Sequence, residues 1–258
     1  LSAGTATDGL AGADIIDGRE GFDEADYSED AFNGGALGIT ADLTTGTVID
    51  GFGDTDTLLN IEIILGTDFG DTIKVGLPGT TTIADGLAGD DTLTGTDGTN
   101  AFFTGGAGND VITGGDLTNI FKAQRDTVDY SEDEFEGGAA GINVNLATGT
   151  VMDGFGNTDT LSGIERVAGT NQDDVFVGSD TTVNNSAFNN IERFTGLAGN
   201  DTIDGGLGNN IVNYSDDERF GGDQGVTADF IAGTVIDGFG DTDTIINVER
   251  IRGTSQDD

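Results

Sequence analysis

The stretch Gly105-Gly106-Ala107-Gly108-Asn109-Asp110-Val111-Ile112-Thr113 decides how this chain is read. It fits the nonapeptide pattern G-G-x-G-x-D-x-U-x at every specified position. Glycines in the first and fourth places let the backbone turn tightly and visit positive φ, which points carbonyl oxygens into the bend, and the sixth-place aspartate brings a carboxylate to the same point. The eighth place sets one apolar side chain on the inner face of a short strand. Three further windows keep both glycines, the aspartate and the apolar residue: Gly9 to Asp17, Gly86 to Thr94 and Gly196 to Asp204.

A turn of this kind offers only oxygen. Calcium takes about six to eight hard oxygen ligands, carboxylate and carbonyl mixed, more than one turn supplies but within the means of two stacked turns. Stacked repeats would also place successive strands in a parallel ladder about 4.8 Å apart, so that metal and core share one scaffold. The candidate ligands in well-matched turns are Asp14, Asp91, Asp110 and Asp201, with Gly12, Gly89, Gly106, Gly108 and Gly199 shaping the bend. Asp23, Asp56, Asp71, Asp159, Asp174 and Asp243 sit in degenerate turns, where ligation competes with ordinary turn capping.

Composition points the same way. The 258 residues carry 48 Asp plus Glu against nine Lys plus Arg, a formal charge of −39 that argues against nucleic acid and anionic membrane as partners and for a cation. Self-repulsion on that scale opposes compaction, so folding is expected to depend on metal. Hydrophobic residues make up 35%, yet Ile, Val and Leu recur at fixed repeat positions and outline a narrow continuous core. No Cys is present, which excludes a disulfide framework and a thiol metal site, and no apolar run approaches the ~20 residues that span a bilayer. A calcium-dependent acidic chain fits the outside of a cell. The chain begins and ends inside repeats and is expected to be a segment of something longer.

A longer repeat occurs three times. Asp26-Tyr27-Ser28 returns as Asp129-Tyr130-Ser131 and as Asn213-Tyr214-Ser215, and at the same spacing Gly51-Phe52-Gly53 returns as Gly154-Phe155-Gly156 and Gly238-Phe239-Gly240. These blocks run over about 26–73, 129–176 and 213–258, joined by nonapeptide turns over 9–26, 86–113 and 196–213. Alternating apolar residues (Ile39, Ala41, Leu43; Ile142, Val144, Leu146; Val226, Ala228, Phe230) predict a half-buried strand in each block. A glycine turn (Gly46, Gly149, Gly233) and a second strand through Val48, Val151 and Val235 follow. Glu62, Glu165 and Glu249 recur near the block ends, before degenerate turns with Asp71, Asp174 and Asp258 in the sixth place. Extra residues between Thr113 and Gln124 are expected to form a surface loop. A tyrosine copied with its repeat is a packing element, its ring buried and its hydroxyl hydrogen-bonded.

Together, the tandem nonapeptides, the Asp-Tyr-Ser elements and the Gly-Phe-Gly-x-Thr-Asp-Thr stretches resemble the RTX, or haemolysin-type calcium-binding, repeats of bacterial secreted proteins, over essentially the whole chain. The resemblance implies an all-β fold, a right-handed parallel β-roll or β-solenoid with Ca2+ in its turns and insertions in surface loops. It also implies type I export while unfolded and folding outside the cell. Asn210 departs from the pattern, replacing Asp in the sixth place of the turn that starts at Gly205.

No His, no Cys and no Ser in a nucleophile-elbow context leaves the common catalytic arrangements without their parts, and no enzyme activity is expected. The leading expectation is a calcium-binding structural or adhesive segment of a large secreted or cell-surface bacterial protein, such as a surface layer, filament or repeat adhesin. Its partners would be calcium ions and further repeats or copies of itself. The alternative is an accessory module of a secreted enzyme such as a polysaccharide epimerase or protease. Arg166, Arg250 and Arg252 would be the contacts for an acidic polysaccharide, although neutralising local acidic surface explains them more simply. An ice-binding face would need aligned threonine rows, which Thr92, Thr94 and Thr113 do not make.

Overall fold

Most of the described strands are three residues long, and most of these bury their central side chain between more exposed neighbours. The computed structural model describes residues 5–7, 10–115, 125–179 and 191–258; residues 116–124, which hold most of the expected loop insertion, lie outside the described residues. The fold is all-β with long parallel sheets, the only described helical elements being four-residue turns at Asp30–Asn33, Asp133–Glu136 and Asp217–Phe220. The chain forms two compact units, Leu1–Val128 and Asp129–Asp258. None of the described helices is long and apolar enough to cross a membrane.

In the first unit the chain passes alternately between two rows of strands. One row is parallel throughout: Glu24–Asp26, Ile63–Leu65, Thr81–Asp85 and Asn100–Thr104 pair in turn, with Ala25, Ile64, Ala84 and Phe103 in register and none of them exposed. In the other row Thr40–Asp42, Thr72–Lys74, Thr92–Thr94 and Val111–Thr113 are parallel and align Ala41, Ile73, Leu93 and Ile112. Such strict registry follows from the period of two, because a slip by one residue would turn every buried side chain outward.

The second unit repeats the plan. Arg166–Ala168, Arg193–Thr195, Ile211–Asn213 and Arg250–Arg252 form its parallel row through Val167, Phe194, Val212 and Ile251. Its other row aligns Val144, Phe176, Ile203 and Ile245. The rings of Phe176 and Phe194 meet at 5.6 Å.

The long blocks place an antiparallel meander inside the second row of each unit. Thr40–Asp42, Thr47–Ile49 and Thr55–Leu59 pair antiparallel, as do Asn143–Asn145, Thr150–Met152 and Thr158–Ser162, and Thr227–Asp229, Thr234–Ile236 and Thr242–Ile246. The glycine turns at Gly46, Gly149 and Gly233 close the first hairpin with φ of 67°, 68° and 72°, a conformation open to glycine at little cost. The sequence indicated both strands of that hairpin but not the third strand or the antiparallel sense.

Candidate functional site: stacked acidic turns

Asp71, Asp91, Asp110, Asp174 and Asp201 each lie just before a strand of the second row and bury their side chains, so that successive turns stack carboxylate on backbone. The N–H of Ile39 donates to Asp71 Oδ1 at 2.6 Å, that of Asp71 to Asp91 Oδ1 at 2.7 Å, and that of Asp91 to Asp110 Oδ1 at 2.8 Å. In the second unit Ile142 donates to Asp174 Oδ1 at 2.7 Å, Asp174 to Asp201 at 2.9 Å and Asp201 to Asp243 at 2.9 Å. The backbone N–H of Asp14 donates to Asp56 Oδ1 at 2.9 Å. Asp56, Asp71, Asp91, Asp110, Asp159, Asp174, Asp201 and Asp243 are all buried, while Asp14 remains half-buried.

The first-place glycine acts differently from the expectation. Gly86, Gly105 and Gly196 do not adopt positive φ; instead a Cβ on Gly86 would fall on Asp91 Oδ2, on Gly105 on Asp110 Oδ2 and on Gly196 on Asp201 Oδ2. The first place is glycine because the carboxylate of its own turn occupies that space. Positive φ belongs to the fourth place, at Gly12, Gly89, Gly108 and Gly199, and to the second, where Leu10, Leu87 and Leu197 adopt it and Gly106 does so without a side chain. A Cβ on Gly106 or Gly108 would also strike the carbonyl of Leu87 or Gly89 in the turn below, so the backbones stack in direct contact.

Burial sets the charge state of the ion-free site. It pushes Asp91 up to about 9, helped by the charges of Asp110 and Asp71, and Asp201 to about 9, helped by Asp243 and Asp174. Burial likewise raises Asp174 and Asp243 to about 7 and Asp71 to about 6. Asp91 Oδ2 and Asp201 Oδ2 are buried and meet no donor, and neither residue pairs with a Lys or Arg. Among the described residues no three acidic side chains converge as ligands of one ion. An ion here would therefore take one or two carboxylates and draw the rest of its shell from turn carbonyls, a mixed oxygen set that calcium accepts.

Asp23 stands apart from these rows. It precedes a strand of the other row and donates its N–H to Glu62 Oε2 at 3.0 Å. That side has its own ladder, unrecognised in the sequence: the backbone N–H of Glu192 donates to Asn210 Oδ1 at 3.4 Å and that of Asn210 to Glu249 Oε2 at 2.7 Å. Asn210 fills its sixth place with an amide that donates to the Gly205 carbonyl, a nitrogen donor where the other turns hold a carboxylate. Glutamate or aspartate immediately before several strands of that row was the available signal, as at Glu62, Asp126, Glu192 and Glu249.

The block tyrosines are buried as expected, and each hydroxyl donates to a block aspartate: Tyr27 to Asp56 at 3.3 Å, Tyr130 to Asp159 at 2.9 Å and Tyr214 to Asp243 at 2.8 Å. Also overlooked in the sequence were six further buried aspartates of the blocks, Asp30 and Asp50 with their counterparts Asp133, Asp153, Asp217 and Asp237. They recur at the spacing of the tyrosines. No protein-family model matches the chain, and no curated protein matches its sequence.

Proposed function

We propose that this chain is a calcium-binding, non-catalytic structural or adhesive segment of a large secreted or cell-surface bacterial protein, a β-roll of the RTX type whose ions drive its folding outside the cell. The observation that carries the reading is the pair Asp91 and Asp201: each is a buried carboxylate in a stack of like turns, with one oxygen that no donor or basic side chain reaches. Leaving such a group charged costs several kcal/mol, and in the absence of a basic partner a hard divalent cation offsets it by bridging carboxylate and carbonyls. Calcium suits the set because its shell is large and irregular. Magnesium demands a compact octahedron and releases water reluctantly. The net charge of −39 adds a global reason, since bound cations relieve the repulsion that opposes compaction. Repeated strands of this kind extend by further repeats or by self-association.

The test is a far-UV circular dichroism titration of the exhaustively chelated protein. Millimolar calcium should restore β signal cooperatively, and magnesium at the same concentration should not. A spectrum indifferent to chelator and calcium alike would refute the reading.

A further inference from the structure

Asp30 opens the helical turn Asp30–Asn33, and Asp50 follows the second strand of the hairpin, Thr47–Ile49; the fold brings them side by side. Asp30 Oδ2 accepts the N–H of Gly51, next to Asp50, at 2.8 Å. Asp50 Oδ1 accepts from Phe52 at 3.0 Å and Asp54 at 2.7 Å, which folds the loop around its own aspartate. Gly51 is glycine because a Cβ there would come within 2.8 Å of Asp30 Oδ2. The other oxygen of each residue, Asp30 Oδ1 and Asp50 Oδ2, is buried and meets no donor, and both residues are only 1% exposed.

The arrangement is repeated in the other two blocks. Asp133 Oδ2 accepts from Gly154 at 2.9 Å and Asp217 Oδ2 from Gly238 at 3.0 Å. Asp153 and Asp237 wrap their loops with bonds of 2.7 to 3.0 Å. Asp133 Oδ1, Asp153 Oδ2, Asp217 Oδ1 and Asp237 Oδ2 are again buried without a donor. None of the six residues forms an ion pair with Lys or Arg. Burial, followed by the charge of the facing aspartate, raises Asp133 and Asp217 to about 7. Six carboxylates in three copies, each holding the same oxygen out of reach of every donor, would be a repeated defect if nothing bound between them.

We propose that each long block carries a second kind of cation site, outside the nonapeptide turns, in which Asp30 with Asp50, Asp133 with Asp153, and Asp217 with Asp237 jointly hold one hard divalent cation of calcium's class. The carboxylates supply the charge, and backbone carbonyls or water complete the shell. This site uses none of the turn aspartates, so it stands or falls independently of them. Its service to the fold is local: one ion ties the helical turn to the hairpin loop, two segments about twenty residues apart that share no strand pairing.

Bound calcium is counted by equilibrium dialysis and elemental analysis on the whole chain and on Asp50→Asn, Asp153→Asn and Asp237→Asn separately, beside the turn variant Asp91→Asn/Asp201→Asn. Each block variant should bind one ion fewer than the parent, and the turn variant should lose turn ions while keeping the three of the blocks. Parental ion counts in the block variants would overturn the proposal, while losses confined to the turn variant would leave the turn sites standing. Should a block variant fail to fold at saturating calcium, the same count is made on Asp30→Asn, Asp133→Asn and Asp217→Asn, which keep the oxygen that accepts the glycine N–H: one ion fewer supports the block sites, and a parental count overturns them.

Discussion

The hydroxyl of Tyr214 donates to Oδ2 of Asp243 at 2.8 Å, while Oδ1 of the same carboxylate accepts the N–H of Asp201 at 2.9 Å. One side chain therefore joins the tyrosine of a block to the stack of turns. Tyr214→Phe keeps the ring and removes the donor, leaving a buried carboxylate oxygen short of a partner. The loss should be about 1.5–3 kcal/mol in chemical denaturation at saturating calcium. Tyr27→Phe should cost less, since its bond to Asp56 is 3.3 Å long.

Asp91→Asn keeps the oxygen that accepts the Asp71 N–H and the shape of the turn, but removes the charge. The variant should bind one ion fewer and require more calcium to fold, read by calorimetry and the midpoint of the dichroism titration. Thr113→Asn, in the unspecified ninth place, is the control and should leave ion count and midpoint at parental values. Equal behaviour of the two would reduce Asp91 to a shaper of its turn.

The ion-free chain should respond to pH in the opposite sense to most acidic proteins. The folded pKa values of Asp91 and Asp201, about 9, and of Asp133, Asp174, Asp217 and Asp243, about 7, lie above the unfolded value near 4. The folded form therefore holds protons that the unfolded chain has released, so its stability is full below about pH 4 and declines as pH rises through 7 to 9. Small-angle scattering in chelator should show a compact chain at pH 4 and an expanded one at pH 9. With calcium the trend reverses, because the ion competes with those protons and binds more tightly as pH rises.

Gly86→Ala tests the space argument in the turn. The added Cβ falls on Asp91 Oδ2, so either the carboxylate or the backbone must move. A loss of roughly 1–3 kcal/mol is expected for overpacking at a site with no slack, together with a higher calcium midpoint, both measured on the folded protein. Unchanged stability and calcium midpoint would show that the carboxylate sits elsewhere.

Strands and turns were legible in the sequence because each obeys a local rule. Alternation around Ala41, Val144 and Val48 announces half-buried strands, and the glycine spacing around Asp91 and Asp110 announces the bend. Relations made by stacking were not legible. The first-place glycine looked like a residue needed for positive φ, when its role is to leave room for a carboxylate five residues on. The aspartates of Glu29-Asp30 and Ile49-Asp50 carried no signal in the sequence, because nothing in either short stretch reveals that a hairpin will fold one against the other. Their recurrence in all three blocks was visible, but recurrence alone does not distinguish a buried acid from a copied surface one.

The direction of the hydrogen bonds between turns gives the stack two unlike ends. Asp71 gives its N–H to Asp91, and Asp91 to Asp110, always from the earlier turn to the later carboxylate. A later turn stripped of its predecessor loses only a donor, and its carboxylate oxygen can take water or an ion instead. An earlier turn stripped of its successor is left with an amide at the end of the stack that must find another acceptor. Truncation and extension are thus unequal operations. The C-terminal turn of such a stack ends on an open donor and the N-terminal turn on an open acceptor.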